Sequence, residues 1–160
     1  ELRDAGLFRW PPHINVVYPC VEPIFFEQFA TRVAPTLARI EPFTVSLSDF
    51  GVFGSSRRGV VWLRPHVVSS ACDGSGDAHA GCAADPFQRI YEGIYGAVPE
   101  LRRPTRPFTP HLTVTHTGSA DLAADLAGAM AERWQPVDFE VCEVFLMARA
   151  SAVEPFRLAW

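Results

Sequence analysis

No stretch of this sequence approaches the roughly 18 consecutive apolar residues that a membrane-spanning helix needs, and its N-terminus lacks a basic start followed by an apolar run. No membrane partner is expected. An excess of positive charge is missing too: 14 Lys and Arg stand against 18 Asp and Glu, for a formal charge of -4. Without a positive field over the whole surface, a short or small ligand fits better than a long nucleic-acid polymer. Cysteine is scarce, four in 160 residues, which does not make a disulfide scaffold; Cys20 and Cys142 fall in apolar runs where cysteine is usually a small buried residue. Cys72 and Cys82, with Asp77 and His79 between them, have a spacing that matches none of the usual closed zinc sites. These absences predict a soluble monomer in a reducing compartment, cytoplasm or nucleus, with no metal and no cofactor.

At 160 residues and 48% hydrophobic, the chain has enough apolar material for one core. A single folded unit over residues 1–160, in two lobes, is expected. The chain opens on Glu1 rather than Met, as a sequence truncated at its N-terminus would.

Residues 13–18 (HINVVY) are rich in β-branched residues and lie between Pro11-Pro12 and Pro19, so they read as a strand with His13, Asn15 and Val17 on one face. Phe26, Phe29, Val33, Leu37 and Ile40 recur at helical steps, while Pro35 predicts a kink or break near Ala34. Residues 43–48 alternate apolar and polar, and after turn residues GVVWLR resumes, predicting an antiparallel pair. Residues 69–84 are small, polar and Gly-rich, a pattern expected of a mobile surface insertion. Asp85 and Pro86 open a helix with Phe87, Ile90, Tyr91, Ile94 and Val98 as its stripe, ending before Pro99. HLTVTH at 111–116 repeats the strand pattern, with His111, Thr113 and Thr115 on one face and His116 on the other. Ser119 caps a helix expected to bury Leu122, Leu126 and Met130, and strands follow around 137–148 and 153–159. Each half thus runs strand, helix, strand, strand, a weak internal repeat.

Both halves hold a Pro-His-apolar-polar unit, PHIN at 12–15 and PHLT at 110–113, with the histidines 98 residues apart. On a strand, a histidine and the residue two further on project from one face, about 6.6 Å apart. Two such strands side by side would set imidazoles across a gap that fits a phosphate, flanked by Asn15 and Thr113. Phosphodiester cleavage needs a base for the attacking oxygen and an acid for the departing one, and two imidazoles supply both near neutral pH. Hydroxyl and amide donors then stabilise the non-bridging oxygens.

At these residues the sequence resembles the two-histidine phosphoesterase superfamily, in its RNA ligase/cyclic phosphodiesterase-like branch, whose signature is a pair of His-x-Thr/Ser motifs. FTPHLTV at 108–114 matches in full, and RWPPHINVVYP at 9–19 is similar with Asn15 in place of Thr or Ser. PFTVSLSDFGVF, EVFLMAR and PFRLAW resemble the family's framework. The resemblance implies an α+β, bilobal fold of two pseudo-symmetric lobes, each an antiparallel sheet with helices outside, around a central cleft. It implies catalytic roles for His13 and His111 and phosphate contacts from Asn15 and Thr113. It also favours 2′,3′-cyclic phosphate or 2′-5′ linkages in an RNA 3′ end or small nucleotide, with ligation as the reverse reaction.

Other candidates carry bland readings beside functional ones. His66 also follows a proline but has no polar residue two positions on, so a surface or core role is expected. Trp10, Phe50, Phe53 and Phe108 either stack a base or pack the core. Arg57, Arg58, Arg102, Arg103 and Arg106 either hold substrate phosphates or are solvated loop charges. Two further functions compete with catalysis: a non-catalytic nucleotide or RNA-end binding module, suggested by Asn15 and the acidic charge, and the phosphoesterase domain of a larger RNA-processing enzyme. Which histidine is acid and which base depends on the ester oxygen that leaves, and stays open.

Overall fold

The structure, a computed structural model, describes residues 5–70 and 85–159. From residue 71 on, the insertion expected at 69–84 lies outside the described residues, as do Cys72, Asp77, His79 and Cys82.

The chain folds as α+β. The long hairpin β1 (Phe43–Ser55) and β2 (Arg58–Ser70) is extended by β3 (Leu112–Thr117) and β4 (Val137–Val141) into an antiparallel sheet of order β3-β2-β1-β4. The short pair β5 (Met147–Ala148) and β6 (Arg157–Leu158) forms a second sheet. Helices α1 (Phe26–Leu37) and α2 (Pro86–Ala97) bury Phe29, Val33, Ile90 and Ile94 against Val45, Leu47 and Leu63. Helix α3 (Ala120–Ala131) sets Ala123 and Ala127 against Val61. Because Val61 and Leu63 are alternate residues of β2, all three helices cover one face of the sheet. Trp62 and Arg64 point to the other.

Helix α2 begins as the sequence predicts, with the Asp85 carboxylate accepting from the Phe87 N–H at 2.8 Å and Pro86 in the first turn. Two guanidiniums tie its end down: Arg32 of α1 bonds Glu100 and the Ala97 carbonyl, and Arg103 bonds Glu92. The Arg103 and Arg32 hydrogen bonds hold the Glu92 and Glu100 carboxyls below the usual range. All four groups are solvent-facing, so these pairs add little stability.

Four expectations are corrected. Pro35 does not end α1 at Ala34, because it sits in the last turn, where one lost N–H bond precedes a helix end at Leu37. Helix α3 is capped by Ser119 as expected, but it buries Ala123 and Ala127 while Leu122 is 58% exposed. The reason is proximity: a Cβ on Gly59 of β2 would strike the Ser119 carbonyl, the Thr117 hydroxyl and the Ala123 methyl, so helix and sheet meet where only small residues fit. Residues 13–18 form a single bridge, Ile14 to Leu112, instead of a strand. Flanking prolines remove ladder donors there, and Val17 packs on the core instead of sharing a face with His13. Cys142 is exposed, whereas Cys20 is half-buried with its thiol pushed up by burial.

Candidate active site

The bridge between Ile14 and Leu112 is antiparallel, so His13 falls beside Thr113 and Asn15 beside His111. Ile14 and Leu112 both pack into the helix-covered core. Their neighbours in sequence therefore project from the open face. The two histidines stand on a diagonal, each paired across the bridge with the other motif's small polar residue. His13, His111 and Thr113 are half-buried and Asn15 is exposed.

The two imidazoles are held in the same way. His13 Nδ1 donates to the Pro11 carbonyl at 2.8 Å, and His111 Nδ1 donates to the Thr109 carbonyl at 2.8 Å. A carbonyl only accepts, so Nδ1 carries the proton in both rings, and Nε2 is an acceptor when the ring is neutral and a donor when it is charged. The carbonyl two residues upstream also fixes each ring plane. Asn15 donates its amide to His13 Nε2 at 3.1 Å. The Thr113 hydroxyl has no partner among the described residues.

Aromatic rings back both histidines. Trp10 stacks on His13 with centroids 4.6 Å apart, and its other face lies on Phe156 at 3.6 Å. With both faces taken, Trp10 orients His13 and has no face left for a base. The closing segment is pinned there by the Phe156 N–H, which donates to the Arg9 carbonyl at 2.7 Å. On the other side Trp62 stacks on Phe53 at 4.7 Å, and His111 meets Phe53 edge-on at 5.1 Å and Trp62 at 6.0 Å. Trp62 is only 4% exposed and its indole N–H is buried without an acceptor among the described residues. An orphan donor costs about 1–3 kcal/mol, so packing holds this ring in place. Phe53, 38% exposed, remains open to a ligand.

The other sequence candidates separate cleanly. Phe108 stacks on Tyr91 at 4.5 Å, and Phe50 packs edge-on against Trp134, so both serve packing. Arg103 is engaged by Glu92 and by the faces of Tyr91 and Tyr95. Arg57, Arg58, Arg102 and Arg106 are exposed, the first two around the β1–β2 turn. His66 Nε2–H donates to the Asp49 carboxylate at 2.6 Å on the open face. His116 is corrected: Trp62 pairs with Thr113 but Val61 with Thr115, so the extra residue Val114 shifts the alternation and brings His116, paired with Val60, to the same face as Thr113. Trp62, Arg64, Asp49 and Phe156 were missed by sequence reasoning. For Trp62 and Arg64 the signal was the alternation in VVWLR, which does not reveal which face meets the motif histidines; Asp49 and Phe156 carried none.

A cavity of about 1150 Å³ runs beneath this arrangement, lined by Phe26, Phe29, Val33, Ile90 and Ile94, and it reaches His13 but not His111. It is an apolar gap behind segment 13–21 and lacks the paired imidazoles, so the open face above it is the better place for an anionic ligand.

The two histidine motifs thus lie on adjoining extended segments, each ring held by the same Nδ1 bond to a carbonyl two residues upstream. The family model of the 2′-5′ RNA ligase superfamily matches residues 1–152. The chain belongs to that superfamily, which is the two-histidine phosphoesterase superfamily. Its members act on RNA or nucleotide substrates, and a phosphoesterase-type activity in general follows. No curated protein matches the chain. Among the described residues no helix is long and apolar enough to cross a membrane.

Proposed function

We propose that the chain is a metal-independent phosphodiesterase that opens 2′,3′-cyclic phosphate ends or cleaves 2′-5′ linkages, with His13 and His111 as the acid–base pair. The identical Nδ1 bonds of the two histidines support this proposal, because each leaves its Nε2 as the nitrogen available for proton transfer, that of His13 once the Asn15 amide is displaced. One Nε2, neutral, takes the proton of the attacking water; the other, charged, gives its proton to the departing ester oxygen. The Thr113 hydroxyl and, once displaced from His13, the Asn15 amide donate to the non-bridging oxygens. Ligation in reverse uses the same groups.

The test is incubation with a short RNA ending in a 2′,3′-cyclic phosphate, in EDTA, with products followed by mass. Conversion to one monophosphate regioisomer is expected, undiminished by the chelator and bell-shaped in pH because one imidazole must be neutral and one charged. Loss of turnover in EDTA would overturn the metal-independent mechanism, and binding without turnover would make the chain a binding module.

Asn15→Thr is expected to keep or raise turnover. The amide competes with water for His13 Nε2, whereas a threonine hydroxyl can donate to phosphate. A tenfold or larger fall in kcat with folding intact would show that the amide itself is needed.

A further inference from the structure

The proposed chemistry leaves Arg64 unused. All 14 basic residues of the chain are arginines, and Arg64 is the one the sheet brings beside His111. Leu63 pairs with Leu112, so the next residues outward, Arg64 and His111, face each other on the open side. Read across the sheet, that row is Asn15, His111, Arg64 and Asp49, since Arg64 pairs with Asp49 on β1. The Arg64 guanidinium lies over Trp62, 5.5 Å from the ring centroid, and has no hydrogen-bond or ion-pair partner among the described residues. An acid directly across a ladder from an arginine ordinarily pairs with it. Here the Asp49 carboxylate is turned to His66 Nε2 at 2.6 Å instead.

We propose that Arg64 binds a second phosphate of the substrate, one nucleotide from the scissile one, and that His66 is a positioning residue that keeps Asp49 off Arg64. The preferred substrate is then an oligonucleotide end and not a cyclic mononucleotide. This inference rests on the two-histidine chemistry proposed above. The second phosphate is favoured over the scissile one because Arg64 stands one strand spacing, about 4.8 Å, beyond His111 on the side away from His13. A planar guanidinium fixed on an indole presents its donors as a fork suited to phosphate.

The experiment compares wild type with Arg64→Gln on a 2′,3′-cyclic mononucleotide and on a trinucleotide with the same cyclic end. Titration calorimetry with the matching 3′-monophosphates runs in parallel. The trinucleotide-to-mononucleotide ratio of kcat/KM, and of affinity, is expected to fall roughly tenfold or more in Arg64→Gln, the effect of one lost charged hydrogen bond. Arg64→Lys should recover part of it. His66→Ala should lower the same ratio by freeing Asp49 to pair with Arg64, and adding Asp49→Asn should restore it, a rescue that a purely structural His66 would not show. An affinity ratio equal in wild type and Arg64→Gln overturns the subsite. If the ratio of affinities falls but neither substrate is cleaved by wild type, the subsite stands and the phosphodiesterase assignment is what fails.

Discussion

His13→Ala and His111→Ala are each expected to lower kcat on a cyclic-phosphate RNA end by about 10²–10⁴-fold, the range that a positioned acid or base contributes. The double variant should fall little further than the worse single one, because a base without its acid has lost most of its use. Stability should barely move. Each ring is half-buried on the open face and anchored by a hydrogen bond to a carbonyl two residues away, to which His13 adds the bond from the exposed Asn15 amide, each worth about 0.5–1.5 kcal/mol net. The two variants should differ in one respect: His13→Ala also uncovers the Trp10 face, so near-ultraviolet circular dichroism should change in the tryptophan region more for it than thermal stability does. Near-normal kcat in either variant would end the acid–base assignment.

Local features of this fold were legible where local chemistry decides them. Asp85 followed by Pro86 makes a cap whatever surrounds it, and α2 starts there. The doubled Pro-His motif marked the residues that the bridge then sets on a diagonal. What was not legible depends on a neighbour. The face that α3 buries is chosen by Gly59, far earlier in the chain on β2, whose missing side chain leaves room for the Ala123 methyl. Segment 13–18 has strand composition, yet a strand needs a partner along its length, and only Ile14 finds one. The place of His116 hinges on one unpaired residue, Val114, and a shift of one position reverses every face beyond it. Trp10 stayed between stacking a base and packing the core because sequence gives no sign of Phe156 stacking on it.

Gly51→Ala is expected to damage the site more than the fold. A Cβ at this position would strike Trp62 at Cζ2, Cε2 and Cη2. The ring has no room to slide, being 4% exposed and stacked beneath Phe53. It must shift toward the groups that cover it, Phe53, Arg64 and His111. Overpacking of this kind costs about 1–3 kcal/mol, which for a domain of this size lowers Tm by about 2–4 °C per kcal/mol, so most of the protein remains folded at room temperature. His111, 6.0 Å from the indole, has no such reserve, because misplacement by about 1 Å at a reacting centre can cost 10²-fold. A second substitution separates the two effects. Trp62→Phe removes the buried indole N–H that lacks an acceptor among the described residues and shortens the ring edge that meets the new methyl, so Gly51→Ala combined with Trp62→Phe should recover both Tm and kcat relative to Gly51→Ala alone. Independent sites would instead add their losses. If Gly51→Ala leaves kcat at the wild-type value, Trp62 is not what holds His111 in place.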